Sequence, residues 1–419
     1  MRRGVRNSVV RKCNATLVNV LLIVSTSLGQ TIVAEEYRSY GLAIDSLNVI
    51  QNRQHLDDFY EALYQLNHGT QTKVNIVHIG DSHIQADFLT KAVRNNFQKH
   101  FGNAGRGLIV PGRVAGTNEP FNIQTSSNVT WEVKRCVHPA HHLPIGIGGI
   151  TLRSGVPSSR LYIYMNDQVQ DYTFQTVKLF HLKDGSSFGL ALKDSDFKLI
   201  PAKTVEDTTG NYTEFRLPSP VNSIVVESLK NDSIQNHTTL FGLSLENQSP
   251  GVLYHVIGVN GAKYAHYNAA KLFARQTHKL NPALFIISLG TNEALDYPHI
   301  DRRLFSQIET LVSTLRANNP LAKIILVTPP DCFMRKTRPN AGIAKVREAI
   351  LQFAVENGLA FYDMYQALGG EGSASRWKEA QLLRADGVHF TKEGYDYQGN
   401  LLFHAILKGY NDYVPDRHP

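Results

Sequence analysis

Cysteine is scarce in this chain, with three in 419 residues, at positions 13, 136 and 332. One possible bridge, Cys136 to Cys332, is no disulfide framework at this length, and two buried, unpaired thiols are the expected state. Acidic side chains are missing altogether from residues 1 to 34, which carry five basic ones: Arg2, Arg3, Arg6, Arg11 and Lys12. Long apolar runs are also lacking. The most apolar stretch, Ala15 to Leu28, is broken by Asn19, Ser25, Thr26 and Ser27 and falls short of the roughly 20 residues of a spanning helix. Residues 1–34 therefore read as a secretory signal peptide cut after Ala34, or as an uncleaved N-terminal anchor that would tie the protein to a membrane. Cys13 precedes the apolar stretch and so is misplaced for a lipid-bearing cysteine.

That segment accounts for most of the net charge of +7. With its five bases removed, 38 of the 43 basic residues face all 36 acidic ones, a balance of +2. No Lys/Arg cluster with interleaved aromatics occurs elsewhere, which argues against a nucleic-acid partner. His138, His141 and His142 are close enough in sequence to suggest a metal, but with no acid or cysteine beside them they read as a polar loop, and no metal or cofactor is expected. His404 reads as an ordinary helix residue. Sequons at Asn128 and Asn211 matter only in a glycosylating host.

Four turns carry the chemistry. The apolar run Val74 to Ile79 leads into Gly80-Asp81-Ser82-His83 and then a helix-like stretch, Gln85 to Phe101. A serine at a strand-to-helix turn exposes its hydroxyl and lies under helix N–H groups that favour developing negative charge. Near the C-terminus, Asp386-Gly387-Val388-His389 places an aspartate three residues before a histidine, a spacing that lets the carboxylate fix one imidazole tautomer. Between them, Val259-Asn260-Gly261-Ala262 follows the apolar run Val252 to Ile257, and Gly290-Thr291-Asn292-Glu293 follows Ala283 to Leu289. Each block alone is good turn chemistry and no more.

Together and in this order, the four blocks resemble the signature blocks of the SGNH, or GDSL-type, hydrolases. The resemblance implies a nucleophile at Ser82, oxyanion-hole donors at Ser82, Gly261 and Asn292, and an Asp-x-x-His pair at Asp386 and His389. Two positions depart from the commoner pattern: His83 stands where leucine is usual, and Glu293 where aspartate is usual. With Ile84-Gln85-Ala86-Asp87, these variants are similar to the branch of bacterial peptidoglycan O-acetylesterases. The implied function is a secreted or periplasmic serine esterase of the cell envelope. It would remove O-acetyl groups from a polysaccharide, peptidoglycan by preference, through an acyl-enzyme and without a metal. The alternatives are an O-acetyltransferase using the same residues, a lipase or acyl-esterase, and a glycan-binding envelope protein without turnover.

Strand-like runs at Val74 to Ile79, Val252 to Ile257, Ala283 to Leu289, Lys323 to Thr328 and Leu359 to Tyr362 alternate with helix-like runs at Gln85 to Phe101, Lys263 to Lys279, Ile300 to Asn318 and Ala341 to Asn357. This alternation predicts an α/β fold, a flavodoxin-like parallel sheet with helices on both faces and its site at the C-terminal strand ends. Residues 114–250 instead alternate apolar and polar positions between turns, as in Leu161 to Tyr164 and Thr176 to Phe180. They read as an inserted antiparallel β-sandwich, jelly-roll-like by the resemblance, between a first hydrolase part at 35–113 and a second at 251–419. The resemblance suggests a carbohydrate-binding insert, for which Trp131, Tyr162, Tyr164 and Tyr172 are stacking candidates, although core packing is the commoner use of such aromatics.

Overall fold

A strand buried on both faces needs cover on each, which the interior of a parallel sheet provides. The computed structural model, which describes residues 31–33, 36–138, 142–167, 170–207 and 212–416, puts Lys73–Gly80 there. Five parallel strands lie in the order Gly251–Gly258, Lys73–Gly80, Leu284–Ser288, Lys323–Val327, Ala360–Tyr362. This doubly wound, flavodoxin-like order reverses direction beside its first strand, where such sheets open a crevice at the C-terminal edge. The helices Leu304–Asn318 and Gly342–Glu356 match their predicted runs to within a few residues. Two other predicted helices are broken. Residues 85–101 divide into Ser82–Gln85 and Phe88–Phe101 because Asp87 takes a left-handed backbone, φ +61°; residues 263–279 divide into Tyr264–Ala269, Phe273–Thr277 and a short 3₁₀ turn.

Two antiparallel sheets interrupt this domain, as the alternating segments predicted. One carries Ile123–Ser127, Arg160–Met165, Ser223–Leu229 and Gly189–Lys193. The other is built around Thr238–Glu246 and Phe174–His181 and reaches back to Gly105–Ile109, ahead of residue 114. Leu161, Ile163 and Ile224 of the first sheet share one buried cluster with Val177, Leu179 and Leu243 of the second. Of the stacking candidates, Trp131 is buried with its ring N–H on Ser127 Oγ (2.8 Å), and Tyr172 is also buried; only Tyr164 is well exposed, with Tyr162 partly so. Cys136 and Cys332 are buried free thiols, and burial pushes both up to about 12. Most of the expected leader lies outside the described residues, as do His141 and Asn211. Ile32 is described, and the side chain of Asn411 bonds both its N–H and its C=O (2.9 and 2.8 Å). Among the described residues no helix is long and apolar enough to cross a membrane.

A buried charge cluster joins the helix after Ser82 to the insert. The Asp87 carboxylate accepts two hydrogen bonds from Arg94 (2.8 and 2.9 Å), one from Arg106 (2.7 Å) and one from Thr90 (2.6 Å). Arg94 also donates to the Tyr172 hydroxyl (3.0 Å), which donates to Gln98 (3.0 Å), so this tyrosine serves the joint between domains and has no face to offer a sugar. Burial alone would raise the Asp87 carboxyl, but Arg106 and Arg94 outweigh it and hold the group down to about 2.

The long C-terminal helix Lys392–Asp416 lies against Phe88–Phe101 with a glycine at the crossing: a Cβ at Gly399 would stand 2.4 Å from the Leu89 carbonyl oxygen. That approach is too close for any other side chain. Asp87→Asn keeps the shape but strands two buried guanidinium groups, and it is expected to cost roughly 3–5 kcal/mol in urea unfolding. Gly399→Ala gains about 1 kcal/mol of helix propensity yet is expected to lower Tm, because overpacking against backbone costs roughly 1–3 kcal/mol.

Candidate active site

Parallel pairing brings three of the four sequence blocks to one edge. Gly80 pairs with Gly258 on one side and with Ser288 on the other, so the turns that leave these three residues emerge together. Asp81 caps the Ser82–Gln85 turn by accepting from the His83 N–H (3.0 Å), which leaves Ser82 at the first helical position. The fourth block arrives with the C-terminal helix. His389 Nε2 lies 2.8 Å from Ser82 Oγ, and His389 Nδ1 lies 3.1 Å from Asp386 Oδ2. The other Asp386 oxygen accepts the N–H groups of Val388 and His389, both at 2.8 Å. Burial nudges the Asp386 carboxyl up, but those two N–H groups and the imidazole outweigh it and hold it below the usual carboxylate range. An ionised Asp386 accepts a hydrogen bond from Nδ1–H, which keeps the proton on Nδ1 and leaves the Nε2 lone pair facing the serine hydroxyl.

Gly261 sits at φ +79° in an exposed turn, a left-handed conformation that favours glycine. Neither its N–H nor that of Ser82 has an acceptor among the described residues, and both line the cleft. Asn292 is in the cleft too, but in a different posture from the one the sequence suggested. Its amide donates to the Ala262 carbonyl (3.0 Å) and to Asp81 Oδ2 (3.2 Å), which occupies both of its hydrogens. The two backbone groups are thus the free donors, and Asn292 must release an acceptor, Asp81 being the longer contact, to make a third.

The cleft has a volume of about 320 Å³ and is bordered by Phe88, Asn118, Asn260, Arg384 and Tyr395 besides the residues above. Of these, Phe88 and Tyr395 are the large aromatic side chains. His83, noted in the sequence only as a departure, is packed against this site. Its ring lies 5.5 Å from that of His389, its Nδ1 is 2.9 Å from the Tyr395 hydroxyl, and burial, helped by the nearby His389, lowers it to about 3. A neutral His83 adds no competing positive charge beside the base. The other departure, Glu293, is buried and accepts the Tyr264 N–H (2.8 Å). Desolvation raises it to about 7 and raises Asp81 to about 7 as well, with Glu293 adding repulsion at Asp81. Neither role had a sequence signal, because both depend on burial.

The histidine loop does have an acidic neighbour that its sequence did not reveal: Glu132 pairs with His142 across the strand connection. No group of three metal-binding side chains occurs among the described residues.

Comparison with known proteins agrees with this geometry in class. Residues 231–397 match the GDSL-like Lipase/Acylhydrolase family, a span that holds Gly261, Asn292, Asp386 and His389 but not Ser82. With the sheet order, that match makes this part of the chain similar to the SGNH (GDSL-type) hydrolases. The chain's architecture is shared with a solved structure described as a peptidoglycan O-acetylesterase in action, with TM-score 0.72 and 20% identity over 85% of this chain and 96% of the other. Among curated proteins, N-acylneuraminate cytidylyltransferase from Streptococcus agalactiae serotype V is 28% identical over 110 residues, and its serotype III counterpart is 27% identical. In both cases the match covers 26% of this chain, and the chain spans only 25% of those relatives' length.

Buried carboxyls raised in this way bind protons in the fold that the unfolded chain gives up. The contribution of Asp81 and Glu293 to stability is therefore full below the ordinary values of 3.8 and 4.5 and falls as pH rises toward about 7. Glu293→Gln removes one of the two groups, so Tm across that window is expected to decline less steeply than in the native protein.

Proposed function

We propose that the protein is an envelope or secreted acetylesterase that removes O-acetyl groups from a polysaccharide, with peptidoglycan as the substrate. The observation that carries this reading is the continuous line from Ser82 through His389 to Asp386, which opens on a cleft bordered by Asn118, Asn260, Asn292 and Arg384. Ser82 Oγ attacks the ester carbonyl carbon while its proton passes to His389 Nε2. The N–H groups of Ser82 and Gly261 receive the oxyanion, and Asn292 joins them as its bond to Asp81 exchanges. Collapse breaks the bond to the sugar oxygen, which takes the proton from His389 and leaves an acetylated Ser82. Water then attacks with His389 again as base; acetate departs and Ser82 regains its proton. Asp386 stays ionised throughout and steadies the imidazolium.

A cleft rimmed by Asn118, Asn260, Asn292 and Arg384 suits a hydrated sugar with a two-carbon acyl group better than a fatty chain. The shared architecture with a peptidoglycan O-acetylesterase supports the choice of glycan, and the basic, apolar leader read from the sequence supports export.

The test is acetate release from O-acetylated peptidoglycan, beside p-nitrophenyl acetate and a long-chain ester. Release from the glycan and from the short ester, but not from the long one, is expected. Ser82→Ala should lower kcat by roughly 10⁴-fold or more, and Asn292→Ala by about 10²- to 10³-fold. Turnover of the small ester without any release from the glycan would overturn the substrate; transfer of acetyl to an added oligosaccharide in place of acetate release would make the protein a transferase.

A further inference from the structure

His83 follows Ser82 directly and holds a polar ring where leucine is the commoner residue. Consecutive residues of a helical turn point about 100° apart, so Ser82 lines the cleft while His83 is turned inward and buried. There its Nδ1 lies 2.9 Å from the Tyr395 hydroxyl, and its Nε2 is buried with no partner among the described residues, which makes this tyrosine the ring's one hydrogen-bond partner. A leucine would fill the same space and offer the buried hydroxyl nothing.

Tyr395 leads on to the base. Its hydroxyl oxygen is also approached by the backbone N–H of Phe390, the residue after His389. One phenol thus meets the neighbour of each reacting residue, and the contacts close a ring: Ser82, His83, Tyr395, Phe390, His389 and back to Ser82 Oγ at 2.8 Å. Packing runs the same way, since the His83 ring lies 5.8 Å from that of Tyr395, 6.1 Å from that of Phe390 and 5.5 Å from that of His389. Tyr395 is itself fixed in the first turn of the C-terminal helix, where its N–H donates to the Thr391 carbonyl (2.9 Å). The Asp386 side of the imidazole is open by contrast: the His389 and Asp386 side chains are 35% and 46% exposed. Solvent gives the base no wall there, so the contacts on the His83 side are what fix where the imidazole stands.

We propose that His83 is a positioning residue for ester cleavage: through the Tyr395 hydroxyl it ties the serine turn to the segment that carries His389, and so sets the distance over which the proton passes. It touches neither the ester nor that proton. A misplacement of about 1 Å between reacting groups can cost ~100-fold in rate. The role rests on Ser82 and His389 being the reacting pair, whichever ester is cleaved.

Steady-state hydrolysis of p-nitrophenyl acetate tests it, with Ser82→Ala as a control: a control as active as the native protein would sink the reacting pair, and this role with it. His83→Leu keeps the volume and loses the link, so kcat is expected to fall roughly 10- to 100-fold with KM within about twofold of native. His83→Asn, close to leucine in size, sets an amide atom where Nδ1 stands and is expected to recover kcat to within about fivefold of native. Tyr395→Phe, which removes only the hydroxyl, should match His83→Leu, and the two together should lower kcat no further than either alone. Native kcat in His83→Leu, equal losses in the leucine and asparagine variants, or losses in His83→Leu and Tyr395→Phe that multiply would each overturn the proposal. Should His83→Leu not fold, Tyr395→Phe decides: a fall in kcat at unchanged KM supports the link, and native kcat overturns it.

Discussion

The parallel register of the Lys73–Gly80 strand between its two neighbours is the constraint on which this site depends. Gly80 stands level with Gly258 on one side and Ser288 on the other, so three turns far apart in sequence leave the sheet at the same height. Ser82, Gly261 and Asn292 each follow within four residues of those partners. A slip of one residue in either pairing would send side chains to the opposite face and dismantle the cleft. The fourth contributor, His389, is not in the sheet. Its position relative to Ser82 is set by the C-terminal helix, which lies close enough to the Phe88–Phe101 helix only because residue 399 has no Cβ.

Burial then divides the ionisable groups around the serine into distinct tasks. Asp386 is half-exposed and well supplied with N–H donors, so it stays ionised and can orient His389. Asp81 and Glu293 lie within the protein with fewer donors, and desolvation pushes their carboxyls up to about 7, while their contacts are to a turn N–H and a helix-start amide. His83, one residue from the serine, is kept neutral by the same loss of water. Asp87, just after the same turn, escapes this fate because two guanidinium groups contact it. Similar side chains within one short segment thus carry different charge states, and solvent access and contact partners account for each.

The reading from sequence succeeded where local chemistry dictates structure. Strand-like runs of four to seven residues between turn signals gave all five strands of the parallel sheet, and alternation between residues 114 and 250 gave the antiparallel insert, although its sheet also takes in Gly105–Ile109. It failed where distant parts of the chain decide. The helix expected over 85–101 breaks at Asp87 because that carboxylate turns inward to Arg94 and Arg106. Tyr172 and Trp131 resemble sugar platforms in a linear text, yet both are buried, one of them against a helix of the other domain.

What the sequence determined by itself is the class of fold and the identity of the chemical groups, since strand periodicity, turn chemistry and the order of four short motifs are local properties of the chain. Tertiary structure alone decided that Ser82 and His389, 307 residues apart, stand 2.8 Å from each other, that Asn292 holds Asp81 before any ester arrives, and that Asp87 meets the buried Arg94 and Arg106. Distances, exposures and charge states of this kind arise only when separate segments exclude water together, and no stretch of the chain carries that information alone.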